Sequence, residues 1–161
     1  MKPTYVGILV ASLFIIFKMV LYFAGLQDAV KLPWVPLLGI VLVGLFYSIN
    51  HYVRTSDTYD WMGAFKKGLT VALVASVFCG IFILIYYSWI DSHFLEQRSV
   101  DEYNQLKSQI PKEKMADYNE SLKKRYRPST FAIITVSAVN IIGLIGSLLV
   151  SLLGRMTVRR K

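Results

Sequence analysis

The sequence is poor in the residues and motifs that support most chemistry. It has a single cysteine, Cys79, which excludes a secreted disulfide scaffold. Its two histidines, His51 and His93, stand alone without metal-ligand spacing. There is no Walker loop, no dinucleotide-binding glycine fingerprint, no His-Glu-x-x-His and no CxxC. We therefore expect no enzymatic activity, no cofactor and no metal site.

Charge is nearly absent from four long stretches, although the chain carries 18 Lys and Arg against 10 Asp and Glu, a net charge of +8. The stretches are residues 5–26, 33–53, 68–90 and 130–153, and their 90 residues contain one formal charge, Lys18. Each has about the 20 residues that a helix needs to cross the hydrocarbon core. This segregation predicts a membrane protein. Because most basic residues flank these stretches, we expect the lipid bilayer and not nucleic acid as a partner.

A chain that crosses a bilayer must satisfy its own backbone hydrogen bonds, so the four stretches are predicted to be helices. The fold predicted for residues 1–161 is an all-α membrane protein with one domain, in which four transmembrane helices form an antiparallel bundle. A cleaved signal peptide is the alternative for the first stretch. The length of that stretch and the charge of Lys18 within it disfavour this alternative.

The link of residues 91–129 is the largest segment predicted to lie outside the membrane, and we expect it to form a short helical segment between helices three and four. Ser99 and Glu102 have capping-box spacing, which places a helix start near Val100. Pro111 is suited to open a second helix. On that helix three apolar side chains share one face, which is a candidate docking or membrane-lying surface: Met115, Tyr118 and Leu122.

The distribution of Lys and Arg predicts the orientation, since these residues favour the cytoplasmic side. With both termini inside, the inner segments contain eight basic residues in 26 positions and the outer segments nine in 45. Arg155, Arg159, Arg160 and Lys161 contribute most to this difference. The basic cluster at residues 123–127 favours the opposite orientation. The higher inner density predicts a multi-pass protein with both termini in the cytoplasm.

Two polar residues inside the stretches form a candidate intramembrane polar site. Lys18 lies eight residues before the end of the first stretch, and a charge at this depth costs several kcal/mol. Asn140 lies at a similar depth in the fourth stretch, so its amide carbonyl could accept a hydrogen bond from the ammonium. The alternatives are a Lys18 side chain that snorkels to the headgroups or pairs structurally, and an Asn140 that bonds to another helix.

Small residues recur every four positions in two of the stretches, which makes them candidates for close helix packing. The stripe in the third stretch consists of Gly68, Ala72, Ser76 and Gly80, and that in the fourth of Gly143, Ser147 and Ser151. Such stripes serve either a homodimer interface or packing within one chain.

The segment that enters the third stretch carries a family resemblance. It reads Trp-Met-Gly-Ala-Phe-Lys-Lys-Gly-Leu over residues 61–69, and it resembles the G-x-A-F-K-x-G-L entry to the third helix of the DUF4199 family. The chain length, the long third link that ends in proline and the glycine-rich last stretch with a basic tail also match. The resemblance implies a small four-helix protein of the bacterial inner membrane with no established activity, and no site residues to carry over.

Two functional hypotheses follow from these patterns. The first is a non-enzymatic integral membrane protein that acts by helix–helix self-association or as an accessory partner of another membrane component. The alternative is a small transporter or channel in which Lys18 and Asn140 line a polar site and an anion is the natural guest of the lysine.

Overall fold

The structure is a computed structural model that describes residues 2–26, 34–56 and 60–158. This part of the chain contains six α-helices and no strand: α1 (Pro3–Phe23), α2 (Trp34–Thr55), α3 (Trp61–Ile85), α4 (Ser92–Leu106), α5 (Met115–Arg125) and α6 (Pro128–Val158). A π-helical turn, Tyr86–Ile90, extends α3, and a 3-10 turn, Lys112–Lys114, precedes α5.

Four of the helical segments are long and apolar enough to cross a membrane: Pro3–Phe23, Pro36–Thr55, Trp61–Ile90 and Pro128–Leu153. The predicted all-α membrane fold with a helical segment between the third and fourth spans is therefore confirmed. Residues 27–32, which separate the first two stretches, and the three basic residues Arg159, Arg160 and Lys161 lie outside the described residues.

The helix that follows the second link begins earlier than the charge pattern predicted. α3 starts at Trp61, seven residues before the apolar stretch begins. Asp60 explains this start, because its carboxylate accepts hydrogen bonds from the backbone N–H groups of Met62 (3.0 Å) and Gly63 (2.8 Å). Such a cap satisfies donors that the first helical turn leaves unpaired.

The predicted capping box at Ser99 and Glu102 is wrong. α4 already begins at Ser92, so both residues lie inside the helix. The Ser99 hydroxyl donates to the carbonyl of Glu96 at 3.0 Å, within the same helix. The predicted second helix starts after Pro111, where Lys114 N donates to the Pro111 carbonyl at 2.9 Å.

Backbone packing divides the chain into two compact units. The first unit comprises residues 1–79 and 136–161, and the second comprises residues 80–135. α3 and α6 each contribute to both.

In the first unit the four long helices pack in a closed ring. Gly44 of α2 lies against Val10 of α1, which joins these two helices, and Gly7 of α1 lies against the backbone carbonyl of Val71 in α3. α6 completes the ring, because Gly146 lies against Leu42 and Leu45 of α2 and Gly143 lies against Ala72 of α3. Glycines at these contacts let the backbones approach closely, and close packing drives helix association in lipid.

The pairing of α3 with α6 fixes their relative direction. Gly68 lies against Ser147, and Ala72 lies against Gly143. Four residues forward on α3 therefore correspond to four residues backward on α6. The two helices are antiparallel, in register along their small-residue stripes.

Candidate functional site

Lys18 faces the interior of the first unit. Only 8% of its surface is exposed, and it shares the buried face of α1 with Gly7, Ala11 and Phe14. These positions are three to four residues apart, the spacing of one helix face. Val20, on another face of α1, is 58% exposed. The burial of Lys18 favours a position inside the unit over a side chain that snorkels along lipid.

Asn140 places a polar atom in the same unit. Its Oδ1 atom is shielded from solvent and has no hydrogen-bond partner among the described residues. The matching depths of Lys18 and Asn140 allowed a hydrogen bond from the Lys18 ammonium to this oxygen. That hydrogen bond is therefore not formed. A buried carbonyl without a partner costs about 1–3 kcal/mol of desolvation, so the site retains an unused acceptor.

Both small-residue stripes are buried within the chain. Ser76 is 1% exposed, and Ala72, Ser147 and Ser151 are fully buried. Gly68, Gly80 and Gly143 are buried as well. Because the α3 and α6 stripes contact each other at two positions, these faces are occupied within one chain. This arrangement favours intrachain packing over a homodimer interface built from the same residues.

The apolar stripe of α5 is also turned inward. Leu122 is fully buried, and Met115 is only partly exposed. The Tyr118 hydroxyl donates to Glu102 Oε1 of α4 at 3.3 Å. Leu122 and Tyr118 make contacts within the second unit, which favours packing of the stripe inside this unit over a docking or membrane-lying face.

Glu102 is the residue that joins α4 to the end of α5. Its Oε1 atom accepts from Arg125 Nη1 at 2.9 Å as well as from Tyr118, and its Oε2 atom accepts from the Tyr126 hydroxyl at 2.5 Å. Burial and this hydrogen bond with Glu102 raise the pKa of Tyr126 to about 12. On the surface of α5, a hydrogen bond from Lys124 lowers the pKa of Glu120.

An aromatic cluster fills the interior of the second unit. Tyr87, in the π-helical turn, is 6% exposed and stacks on Phe94 with ring centroids 5.8 Å apart. It also meets Phe131 edge-to-face at 5.6 Å and Tyr86 at 5.0 Å. Tyr86 is fully buried, and its hydroxyl donates to Asp91 at 3.1 Å. These contacts join the ends of α3, α4 and α6 into one packed unit.

A groove runs along α4 and α5 in the second unit. Its volume is about 440 Å³. We call it the α4–α5 groove, and its lining residues are Ser92, Leu95, Glu96, Ser99, Val100, Tyr103, Asn119, Lys123, Tyr126 and Pro128. One carboxylate and one ammonium lie among mostly apolar and uncharged polar side chains. The residue pattern alone did not indicate this groove, since it forms only when α4 and α5 pack together.

Groups suited to a metal ion are not brought together in the part of the chain that the structure describes. His93 Nδ1 lies 4.0 Å from Glu96 Oε2 on the exposed surface of α4. His51 stacks on Tyr47 with ring centroids 6.3 Å apart. Cys79 is a free, fully buried thiol.

The fold, with four helices long and apolar enough to cross a bilayer, is that of a helical integral membrane protein. The family described as "Protein of unknown function (DUF4199)" matches residues 5–155. The chain belongs to this family, as its third-helix motif indicated. Neither the curated proteins nor the solved structures yield a significant match to it.

Proposed function

We propose that the protein is a non-enzymatic accessory component of a membrane assembly, and that its α4–α5 groove binds a polypeptide segment of another membrane protein. The single observation that carries this proposal is the groove itself, which is formed on a unit with its own aromatic core. Self-association through the small-residue stripes is less well supported, because those faces are occupied within the chain.

The chemistry of the groove suits an uncharged peptide segment. Val100 is 51% exposed although it is apolar and β-branched, and a partner that covered it would remove this surface from water. The Ser99 hydroxyl oxygen can accept a hydrogen bond from a peptide backbone, and the Asn119 amide can both donate and accept. The lining residues of the groove lie close in sequence to the third and fourth spans. Ser92 follows the third span, which ends at Ile90, and Pro128 begins the fourth.

Site-directed photocrosslinking in cells tests the accessory role. A photoreactive amino acid at Val100 should give an adduct of defined mass with one membrane protein. The same amino acid at Gln105, an exposed α4 position that does not line the groove, is the control. Ser99→Trp should fill the groove and remove the adduct. Equal crosslinking from Val100 and Gln105, or adducts that persist with Ser99→Trp, would contradict the proposal.

A second candidate function, transport through a polar site at Lys18 and Asn140, is favoured by one observation. Lys18 is buried on the inner face of α1, and intramembrane charges that face a bundle interior often mark an ion or substrate path. An anion is the expected cargo. Anion flux into proteoliposomes should fall with Lys18→Met and stay unchanged with Lys66→Met, an exposed control. Equal flux for wild type, both variants and empty liposomes would exclude this function.

We further propose that the protein resides in the bacterial inner membrane with both termini in the cytoplasm. The density of Lys and Arg at the ends of the spans supports this orientation. A topology reporter inserted near Ile110 should report the periplasmic side. A cytoplasmic signal from that position would reverse the orientation.

A further inference from the structure

A second groove, of about 400 Å³, lies in the first unit and is built from three helices. We call it the basic groove, and its lining residues are Lys2, Pro3, Ser48, His51, Tyr52, Thr55 and Lys67. Lys2 precedes the first span, and Thr55 ends the second. The groove therefore lies near an end of two spans, where the headgroups of a bilayer are expected.

The side chains that line the basic groove carry positive and not negative charge. Lys2 and Lys67 contribute two ammonium groups, and none of the seven lining residues is acidic. Lys67 Nζ lies 6.0 Å from the centre of the Tyr52 ring, a cation–π contact that holds it at the groove. The neighbouring carboxylate of Asp60 already accepts two backbone hydrogen bonds at the start of α3.

Hydrogen-bond donors and a helix end add to this charge. Ser48 lines the groove and is only 6% exposed, and a serine hydroxyl can donate to an oxyanion. α1 begins at Pro3, and its N-terminal end contributes a partial positive charge. At the C-terminal end of α2, which also lines the groove, the carbonyl of His51 already accepts a hydrogen bond from the Thr55 hydroxyl at 2.8 Å.

We propose that the basic groove binds the phosphate of an anionic lipid headgroup, with Lys2 and Lys67 as its cationic ligands. Basic pockets between transmembrane helices are suited to anionic headgroups, because the lipid phosphate carries the opposite charge and lies at the membrane surface beside the helix ends. A free phosphate ion has the same oxyanion chemistry, and the experiment must separate the two sources.

The test measures lipid binding to the full-length protein in detergent by native mass spectrometry. Phosphatidylglycerol should bind more tightly than phosphatidylcholine, and added salt should weaken it. The double variant Lys2→Gln/Lys67→Gln should raise the dissociation constant for phosphatidylglycerol by about 25-fold. The control Lys66→Gln/Lys107→Gln removes the same charge from two exposed positions outside the groove and should leave binding unchanged.

A conservative variant and a competitor complete the design. Lys2→Arg/Lys67→Arg keeps both charges and should retain binding, which distinguishes loss of a ligand from loss of the fold. Equal loss of binding in the Gln variant and its control, or no loss in either, would overturn the basic groove as the site. Displacement of phosphatidylglycerol by an equal concentration of inorganic phosphate would overturn the lipid as its ligand.

Discussion

The hydroxyl of Tyr126 donates a hydrogen bond of 2.5 Å to Glu102, which lies 24 residues earlier in the chain. The same carboxylate accepts from Arg125 at 2.9 Å. The hydrogen bond joins the residue that follows α5 to the C-terminal part of α4. Tyr126 lines the α4–α5 groove, so this hydrogen bond holds one of the groove's side chains against α4.

The first prediction concerns the ionisation of Tyr126. Burial and Glu102 raise its pKa from 10.0 to about 12, burial being the larger cause. Glu102→Gln should lower this pKa while leaving it above 10, since the burial remains. The titration can be followed by NMR of tyrosines labelled with carbon-13, with Tyr126→Phe to assign the signal. An unchanged pKa in Glu102→Gln would contradict the role of Glu102.

The same shift predicts how the second unit responds to alkaline pH. A pKa raised in the folded state means that the protonated hydroxyl is favoured by folding. Its contribution to stability is complete below pH 10 and is lost as the pH rises through about 12. Tyr126→Phe should therefore weaken the dependence of unfolding on pH in this window.

The second prediction concerns the aromatic cluster. Tyr87 is 6% exposed and contacts three other rings, whereas Trp89, two residues later, is 80% exposed. Tyr87→Ala should lower the free energy of unfolding by about 3–5 kcal/mol, because it leaves a cavity among the rings. Trp89→Ala is the matched control and should change it by less than about 1 kcal/mol. Denaturant unfolding in detergent measures both, and similar losses would argue against a packed core at Tyr87.

The third prediction compares two helical glycines. A methyl group on Gly143 would overlap the side chain of Ala72, so Gly143→Ala should cost about 1–3 kcal/mol by forcing α3 and α6 apart. A methyl group on Gly39 of α2 would meet no atom within 4 Å. Gly39→Ala should be neutral or stabilise by up to about 1 kcal/mol, since alanine loses less backbone entropy. Equal thermal stability of the two variants would contradict the α3–α6 contact.

The parts of the fold that depend on local sequence were predictable. Four spans follow from apolar length, and the stripe at Gly68 and Ala72 indicated close packing before its partner was known. The hydrogen bonds to Glu102 were not predictable, because its partners are 16 to 24 residues away in sequence. The spacing of Glu102 from Ser99 indicated a helix cap instead. That cap does not form, because α4 begins at Ser92 and both residues lie inside the helix. The basic groove was not predictable either, since Lys2 and Lys67 line one groove only through the packing of the helices.

The fourth prediction concerns the unused acceptor in the first unit. Asn140 Oδ1 is buried and has no hydrogen-bond partner among the described residues, so the native protein already bears its desolvation cost. Asn140→Leu has a similar size and removes the carbonyl, and it should therefore leave the unfolding free energy unchanged or raise it by about 1 kcal/mol.

Ser147 offers the comparison, because its oxygen is likewise buried without a partner among these residues, but it lies against Gly68 where space is limiting. Ser147→Leu should destabilise by steric overlap, whereas Asn140→Leu should not. A loss of more than about 2 kcal/mol in Asn140→Leu would mean that the carbonyl has a bound partner in the native membrane protein. That result would favour the transport function, in which Asn140 helps to line a polar site with Lys18.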